Sequence, residues 1–336
     1  MDPADKERVC RELRERGFAV VRQLLPEATI ARCRKHLEQE TGKHLKVALA
    51  AATVSDTHDG LPLEERMAVA YAHNPDAAPC SWVPQMRHSF VFQQLLFRDP
   101  SLTALIADMT GGREVVVGSR FNCRCKLPQT AGAAFPWHQD HAFFRMQYLL
   151  KKEQPKRLLA AWAPLTHVDA TNGGVELAVG SHLGGYIKHR RSGKFLEVDE
   201  AACEASLGGA AGASRGTELP TLHPGDVMLF TDLTLHRSSV STAQTARWSA
   251  DWAYEVEGVD EICCPPLAAA DNGTAAQVKD APLAADGDRA ASPSAAKRAA
   301  LVMLVIGGAA YLLMTAMASR RGGTGALLGG RKLYTR

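Results

Sequence analysis

The chain has 336 residues, 46% of them hydrophobic and 22% charged, with a formal net charge of +3. That length can bury a full enzyme core and the composition is that of a globular protein. The small, dispersed positive charge excludes a nucleic-acid surface built on a basic stripe. Eight cysteines, at 10, 33, 80, 123, 125, 203, 263 and 264, form no Cys-x-x-Cys pair and no regular framework. Reduced thiols are expected rather than a zinc cage or a disulfide scaffold. The charged opening MDPADKERVC lacks the apolar run of a secretory signal.

Residues 5–16 place Val9 and Leu13 on one helical face, and Gly17 ends that helix. Residues 18–25 (FAVVRQLL) form a β-rich run. Pro26 then stands at a helix start whose apolar stripe continues through Ile30, Cys33 and Leu37. Residues 43–80 carry only weak periodicity and receive no assignment. Residues 90–109 have a helical pattern interrupted at Asp99-Pro100.

From about residue 113 the pattern changes to short β segments, which run to about residue 256. Turn signals punctuate them at Gly173-Gly174, Gly180-Ser181-His182 and Pro224-Gly225-Asp226. Helices followed by many short strands suggest a mainly β double-stranded β-helix, a cupin-like jelly roll, with a helical layer outside. A folded domain over 1–258 is therefore expected, with its jelly-roll core at about 113–256.

Residues 259–298 are dominated by Ala, Asp, Gly and Pro, a composition that cannot repay the entropy of ordering. They are expected to be a disordered linker. Residues 299–318 (AALVMLVIGGAAYLLMTAMA) contain no charge. At about 1.5 Å per residue that stretch matches the roughly 30 Å hydrocarbon core of a bilayer. Lys297-Arg298 and Arg320-Arg321 bracket it. A C-terminal transmembrane helix is expected, followed by a basic tail at 319–336. The folded domain would then be held at a membrane, on its cytosolic side.

In PWHQDHAFF (136–144), His138 and Asp140 are two residues apart. On a β-strand that spacing puts both side chains on one face, within reach of one metal ion. A two-His-one-carboxylate triad needs one more imidazole and leaves open positions for cosubstrate and oxygen. His236, at the end of DVMLFTDLTLH, can return antiparallel to His138. His141 would lie on the opposite strand face from Asp140, His182 in a turn and His223 at a barrel rim. A His-x-Asp pair alone is a weak signal. Arg247, eleven residues after His236, strengthens it. Trp248, Trp252 and Tyr254 alternate with Arg247, Ser249, Asp251 and Ala253, which places the arginine on the small, polar, inward face. A buried guanidinium needs an anion: a dicarboxylate cosubstrate, or an internal acid in a structural salt bridge.

Three ordered blocks resemble the phytanoyl-CoA dioxygenase family of iron(II)/2-oxoglutarate oxygenases, over about residues 11–254. They are Trp137-His138-Gln139-Asp140, the segment 161–182 with its Asn-Gly and Gly-Ser-His, and the step from His236 to Arg247 with Ser238 two after the histidine. The resemblance implies that His138, Asp140 and His236 bind Fe(II). It implies that Arg247 and Ser238 hold the distal carboxylate of 2-oxoglutarate, and that Gln139, Trp162 and Asn122 line the cosubstrate pocket. Trp162 can equally be core packing. Lys126 and Arg87 are left outside the site. O2 is the second cosubstrate and ascorbate a candidate auxiliary. The carboxylate at 140 favours hydroxylation over halogenation.

The expected partners are a small or lipophilic organic substrate, with an acyl-CoA as one candidate, and a membrane; nucleic acid is not expected. The basic runs at 151–157 and 188–194 are read as solvated loops. Three rival readings are a catalytically silent membrane-anchored binding protein, a zinc hydrolase on the same ligands, and a sugar- or acid-binding barrel that shares only the fold.

Overall fold

Asp2 opens the first helix, α1 (Pro3–Arg16), by accepting a hydrogen bond from the Asp5 amide, and Gly17 closes it in the left-handed conformation. The computed structural model describes residues 2–79, 81–110, 115–130, 134–151, 157–193, 195–199, 201–203, 216–256 and 278–280. After Gly17 comes β1 (Phe18–Val21), shorter than the expected run because a turn takes residues 22–23. Helix α2 (Glu27–Ala50) begins after Pro26. It extends through residues 43–50, where buried Leu45 and Ala48 continue the stripe beyond Thr41. Helices α3 (Leu63–Ala70) and α4 (Val83–Met86), a π-helical turn (Val91–Leu96) and α5 (Pro100–Met109) complete this layer. Asp99 caps α5 through the amides of Ser101 and Leu102.

The strands that follow are β2 (Val115–Lys126), β3 (Phe135–His138), β4 (Arg157–Pro164), β5 (Val175–Ala178), β6 (His189–Ser192), β7 (Phe195–Val198), β8 (Thr217–Glu218), β9 (Val227–Thr231), β10 (His236–Ser238), β11 (Arg247–Val256) and β12 (Val278–Asp280). Helix α6 (Asp140–Lys151) lies between β3 and β4. One sheet has the order β1-β9-β4-β11-β2-β12 and the other β3-β10-β5-β8; β6 and β7 form a hairpin. All pairs are antiparallel except β12 on β2. This is the expected jelly roll, with β1 added to the large sheet from ahead of the core.

The alternation of β11 decides which face is which. Trp248, Ala250, Trp252 and Tyr254 sit in the cluster that packs the helices onto the large sheet. Trp82 meets Trp248 at 5.1 Å, Phe97 meets Trp252 at 4.9 Å, and the Tyr254 hydroxyl donates to the Phe97 carbonyl. Arg247, Ser249 and Asp251 therefore face the barrel interior. A second cluster fills part of that interior, joining Phe18, Ala160, Trp162, Met228 and Phe230 of the large sheet to Leu177 of the small one.

Gly17 is a close-approach position. It has φ +84°, and a Cβ there would stand 2.5 Å from His182 Nδ1 and 2.7 Å from Thr234 Oγ1. The Gly17 carbonyl accepts from the Thr231 amide and the Thr234 hydroxyl, and the Gly180 amide donates to Arg16. The Gly-Ser-His turn is thus a clamp on the end of α1.

Cys10 is disulfide-bonded, against the expectation of reduced thiols throughout. Pairing follows spatial rather than sequence proximity, so spacing could not reveal it. Cys33, Cys123, Cys125 and Cys203 are free and buried. Among the described residues no helix is long and apolar enough to cross a membrane. The expected span at 299–318, the tail at 319–336 and the segment 259–298 lie outside the described residues, except for β12.

Candidate active site

Strands β3 and β10 are adjacent and antiparallel, with His138 directly opposite His236. Their rings are 4.2 Å apart between centroids. Asp140 Oδ1 lies 3.8 Å from Nε2 of each histidine. Among the described residues these three form the one group of His, Cys, Asp or Glu side chains able to share a metal, all ligand atoms lying within 4.8 Å of one another.

The convergence is as expected but the route differs. Strand β3 ends at His138, and Asp140 is the first residue of α6 rather than a strand residue. The first helical turn swings its carboxylate back over the strand end. His236 likewise opens β10 instead of ending β9, because residues 232–235 carry the chain from the large sheet to the small one.

The local chemistry prepares both imidazoles as ligands. His138 Nδ1 hydrogen-bonds the Pro136 carbonyl at 2.8 Å, and His236 Nδ1 the Thr234 carbonyl at 2.9 Å. A carbonyl only accepts, so Nδ1 carries the proton and Nε2 presents its lone pair. Burial, then the His236 charge, holds His138 well below the usual histidine range and keeps it neutral. Burial raises the Asp140 carboxyl, with the nearby His236 working the other way. A cation would satisfy that otherwise desolvated carboxylate. Two neutral imidazoles and a carboxylate, without thiolate, suit iron(II).

The N-terminus of α6 is fixed from outside the metal set. Asp232, fully buried, accepts from Arg157 Nε and Nη2 at 3.1 and 2.9 Å and bonds His141 Nδ1 at 2.8 Å. The His141 amide donates to the Asp232 carbonyl at 2.9 Å. His141, next to the ligand Asp140, therefore braces the helix. His182 bonds the Arg14 carbonyl and His223 is exposed beside His167; neither joins the metal group.

Arg247 is buried at the start of β11. Nη1 donates to Ser249 Oγ at 2.5 Å and Nη2 to the Gly173 carbonyl at 3.1 Å, while Nε has no partner. The guanidinium lies 5.4 Å over the Trp162 ring, and Trp162 also belongs to the interior cluster. Directly across the ladder stands Lys126. Its Nζ donates to Ser238 Oγ at 3.0 Å, and the Phe135 amide also donates to that oxygen. The Ser238 hydroxyl is left free to donate onward. Burial, followed by the charges of Arg247 and Arg124, pushes Lys126 down to about 6. Burial and Arg124 lower Arg247 only to about 10, so it stays charged at neutral pH.

Lys126, left outside the site on sequence, shares the interior face with Asn122 and Arg124, because Cys123 and Cys125 point outward into the helix-facing cluster. That alternation was the available signal. Ser249 follows by the same parity from Arg247. Gly173, at φ +75°, belongs here too: a Cβ there would stand 2.7 Å from Lys126 Cδ. Arg87 is exposed beyond α4.

Two expected pocket residues are otherwise occupied. Gln139 is buried, with Nε2 donating to the Gly185 and Leu233 carbonyls and Oε1 accepting from the Ile187 amide. Both amide hydrogens are committed to backbone, so Gln139 ties the segment between His138 and Asp140 to backbone at 185, 187 and 233. Asn122 faces the interior but donates to Asp251 Oδ2 at 2.7 Å.

A search of the curated proteins finds no significant match. Similar solved structures include EctD from S. alaskensis with 2-oxoglutarate and 5-hydroxyectoine, at 19% identity, covering 84% of this chain and 89% of that one, TM-score 0.49. EvdO2 from Micromonospora carbonacea var. aurantiaca, complexed with 2-oxoglutarate, matches at 17% identity over 78% of this chain and 94% of that one, TM-score 0.46. The alpha-ketoglutarate-dependent epimerase SnoN from nogalamycin biosynthesis matches at 17% identity over 76% and 84%, TM-score 0.46. The family match is the decisive comparison: it runs over residues 13–248 and takes in the metal triad and Arg247, and the chain belongs to the phytanoyl-CoA dioxygenase (PhyH) family.

Proposed function

We propose that the protein is an Fe(II)- and 2-oxoglutarate-dependent hydroxylase of a small or lipophilic organic substrate. The observation that carries this reading is the pair Arg247 and Lys126, buried side by side in the barrel that holds the His–Asp–His group. Among the described residues neither makes a hydrogen bond to a carboxylate. A zinc hydrolase has no use for that pair, and a barrel that binds only acids has no use for the triad.

Bound iron with 2-oxoglutarate and O2 supplies the oxidising chemistry, releasing succinate and CO2 and placing one oxygen atom on the substrate. His138, Asp140 and His236 would hold the metal. Arg247 would take one oxygen of the distal carboxylate, and Lys126 and the Ser238 hydroxyl the other. Trp162 walls the pocket beneath Arg247, and Asp232 with Arg157 keeps α6, hence Asp140, in place. Substrate would enter past Phe135 and Phe143, whose rings lie 5.8 and 5.7 Å from His138. An acyl-CoA is the substrate that the family name supplies. The apolar run at 299–318 supports attachment to a membrane, with the barrel on the cytosolic side.

Succinate release from 2-oxoglutarate should require iron and O2, and Asp140→Ala should lower it by about 100-fold or more. Oxygen-independent turnover, or none in the wild type with metal bound, would favour the hydrolase or the silent binding protein. The full chain should stay with membranes through alkaline carbonate while a chain cut after 258 is released; release of both would remove the anchor.

The depressed lysine sets a pH dependence. An ordinary lysine titrates near 10.4, so between about 6 and about 10 the folded apo protein binds fewer protons at Lys126 than the unfolded chain. Apo stability therefore rises with pH across that window. An arriving dianion restores the proton, so 2-oxoglutarate binding at pH 8 should take up about one proton and weaken as pH rises. Calorimetry in two buffers of different ionisation enthalpy measures this. Zero uptake, or uptake unchanged in Lys126→Met, would contradict it.

A further inference from the structure

A third cation faces the interior. Arg124 lies between Asn122 and Lys126 on β2, on the face opposite Cys123 and Cys125, which pack beneath the helices. Its guanidinium spans to the small sheet, with Cζ 4.5 Å over the Phe135 ring. Among the described residues its one acid is Asp251, reached through Nε at a long 3.5 Å, and Asp251 already accepts from Asn122 at 2.7 Å. The two Nη groups of Arg124 make no hydrogen bond among the described residues. The side chain is only 26% exposed, so water does not fully compensate the head group.

The surroundings of that head group are aromatic and next to the metal. Phe135 touches His138 on one side and Phe195 on the other, at 5.8 and 4.9 Å. Arg124 and His138 thus contact the same ring and are separated by no more than the two contacts combined, roughly 10 Å. Charge points the same way. With iron and 2-oxoglutarate bound and Lys126 protonated, Asp140, Asp251 and the dianion leave one positive charge in the interior, the one on Arg124. The two pairs nearby, Arg120 with Glu255 and Arg157 with Asp232, are already balanced.

We propose that Arg124 anchors a carboxylate of the substrate, so that the natural substrate is a small organic acid whose apolar part lies along Phe135, Phe143 and Phe195. This rests on the oxygenase reading above and narrows its substrate class. A guanidinium fork binds a carboxylate through two parallel hydrogen bonds, and an acid held there would lie on the same side of Phe135 as the ring contacts that lead to His138. A thioester at that position has no charge to offer, so the free acid is favoured over the acyl-CoA.

The test titrates octanoate and 3-phenylpropionate, each beside its primary amide, into the full chain loaded anaerobically with Fe(II) and 2-oxoglutarate, with heat as the readout. At least one acid should bind about tenfold or more tighter than its amide. Arg124→Gln should erase that preference and Arg124→Lys keep part of it, while both variants retain 2-oxoglutarate affinity within about threefold. Amides binding as well as acids, or neither acid binding, would overturn the proposal. Loss of about tenfold or more in 2-oxoglutarate affinity in Arg124→Gln would also overturn it, by moving the residue into the cosubstrate site. Failure of the wild type to bind 2-oxoglutarate with iron would instead strike the oxygenase reading.

Discussion

Two like charges set side by side on neighbouring strands, out of contact with water, are the constraint around which this barrel is arranged. At cross-strand distance, with an effective dielectric near 20, two unit charges about 5 Å apart repel by about 3 kcal/mol. Burial first, and the arginine's charge after it, brings Lys126 down to about 6 while Arg247 stays charged at neutral pH. Polar groups then soften what remains: Ser249 Oγ and the Gly173 carbonyl for the arginine, Ser238 Oγ for the lysine. The unpartnered Nε of Arg247 shows that the accommodation is incomplete. An anion with two oxygens would complete it.

The metal end is prepared in the complementary sense. Two carbonyls fix the histidine tautomers, and burial keeps His138 neutral. Gln139, between the two proximal ligands, ties that corner to backbone at 185, 187 and 233. Asp232 does the same for the start of α6. These supports hold the ligands by backbone contacts and a buried ion pair, leaving the open side of the group to aromatic rings. Arg124 lies on that side, over the Phe135 ring and two residues before Lys126 on β2.

Much of this was legible in the residues. The inward parity of Arg247 follows from strand alternation, because Trp248, Trp252 and Tyr254 leave one face of β11 to small and polar groups. The grouping of His138, Asp140 and His236 was expected from the same alternation but is reached through a helix start instead. The places where reading fell short share a physical cause. A His-x-Asp step reads as a strand whether the second residue continues it or caps a helix, and the helical answer depends on Asp232, 92 positions away in sequence. Gln139 is polar and next to the ligands, yet its partners are backbone groups that no side-chain pattern reveals. Lys126 needed its register against Arg247, and the ordinary habit of lysine is to sit in water. The stretch 43–50 is helical because α2 packs on the helical layer, which its sparse apolar stripe barely records. Cys10 acquired its disulfide through proximity in space alone.

The most direct measurement is anaerobic titration of 2-oxoglutarate into the protein with and without Fe(II), followed by visible absorption. A weak charge-transfer band should arise only when metal and 2-oxoglutarate are both present, and Arg247→Ala should move its half-saturation upward by about tenfold or more without abolishing iron binding. A band that forms at the same concentration in Arg247→Ala, or no band in the wild type, would contradict a metal and a paired-cation pocket acting on one bridging diacid.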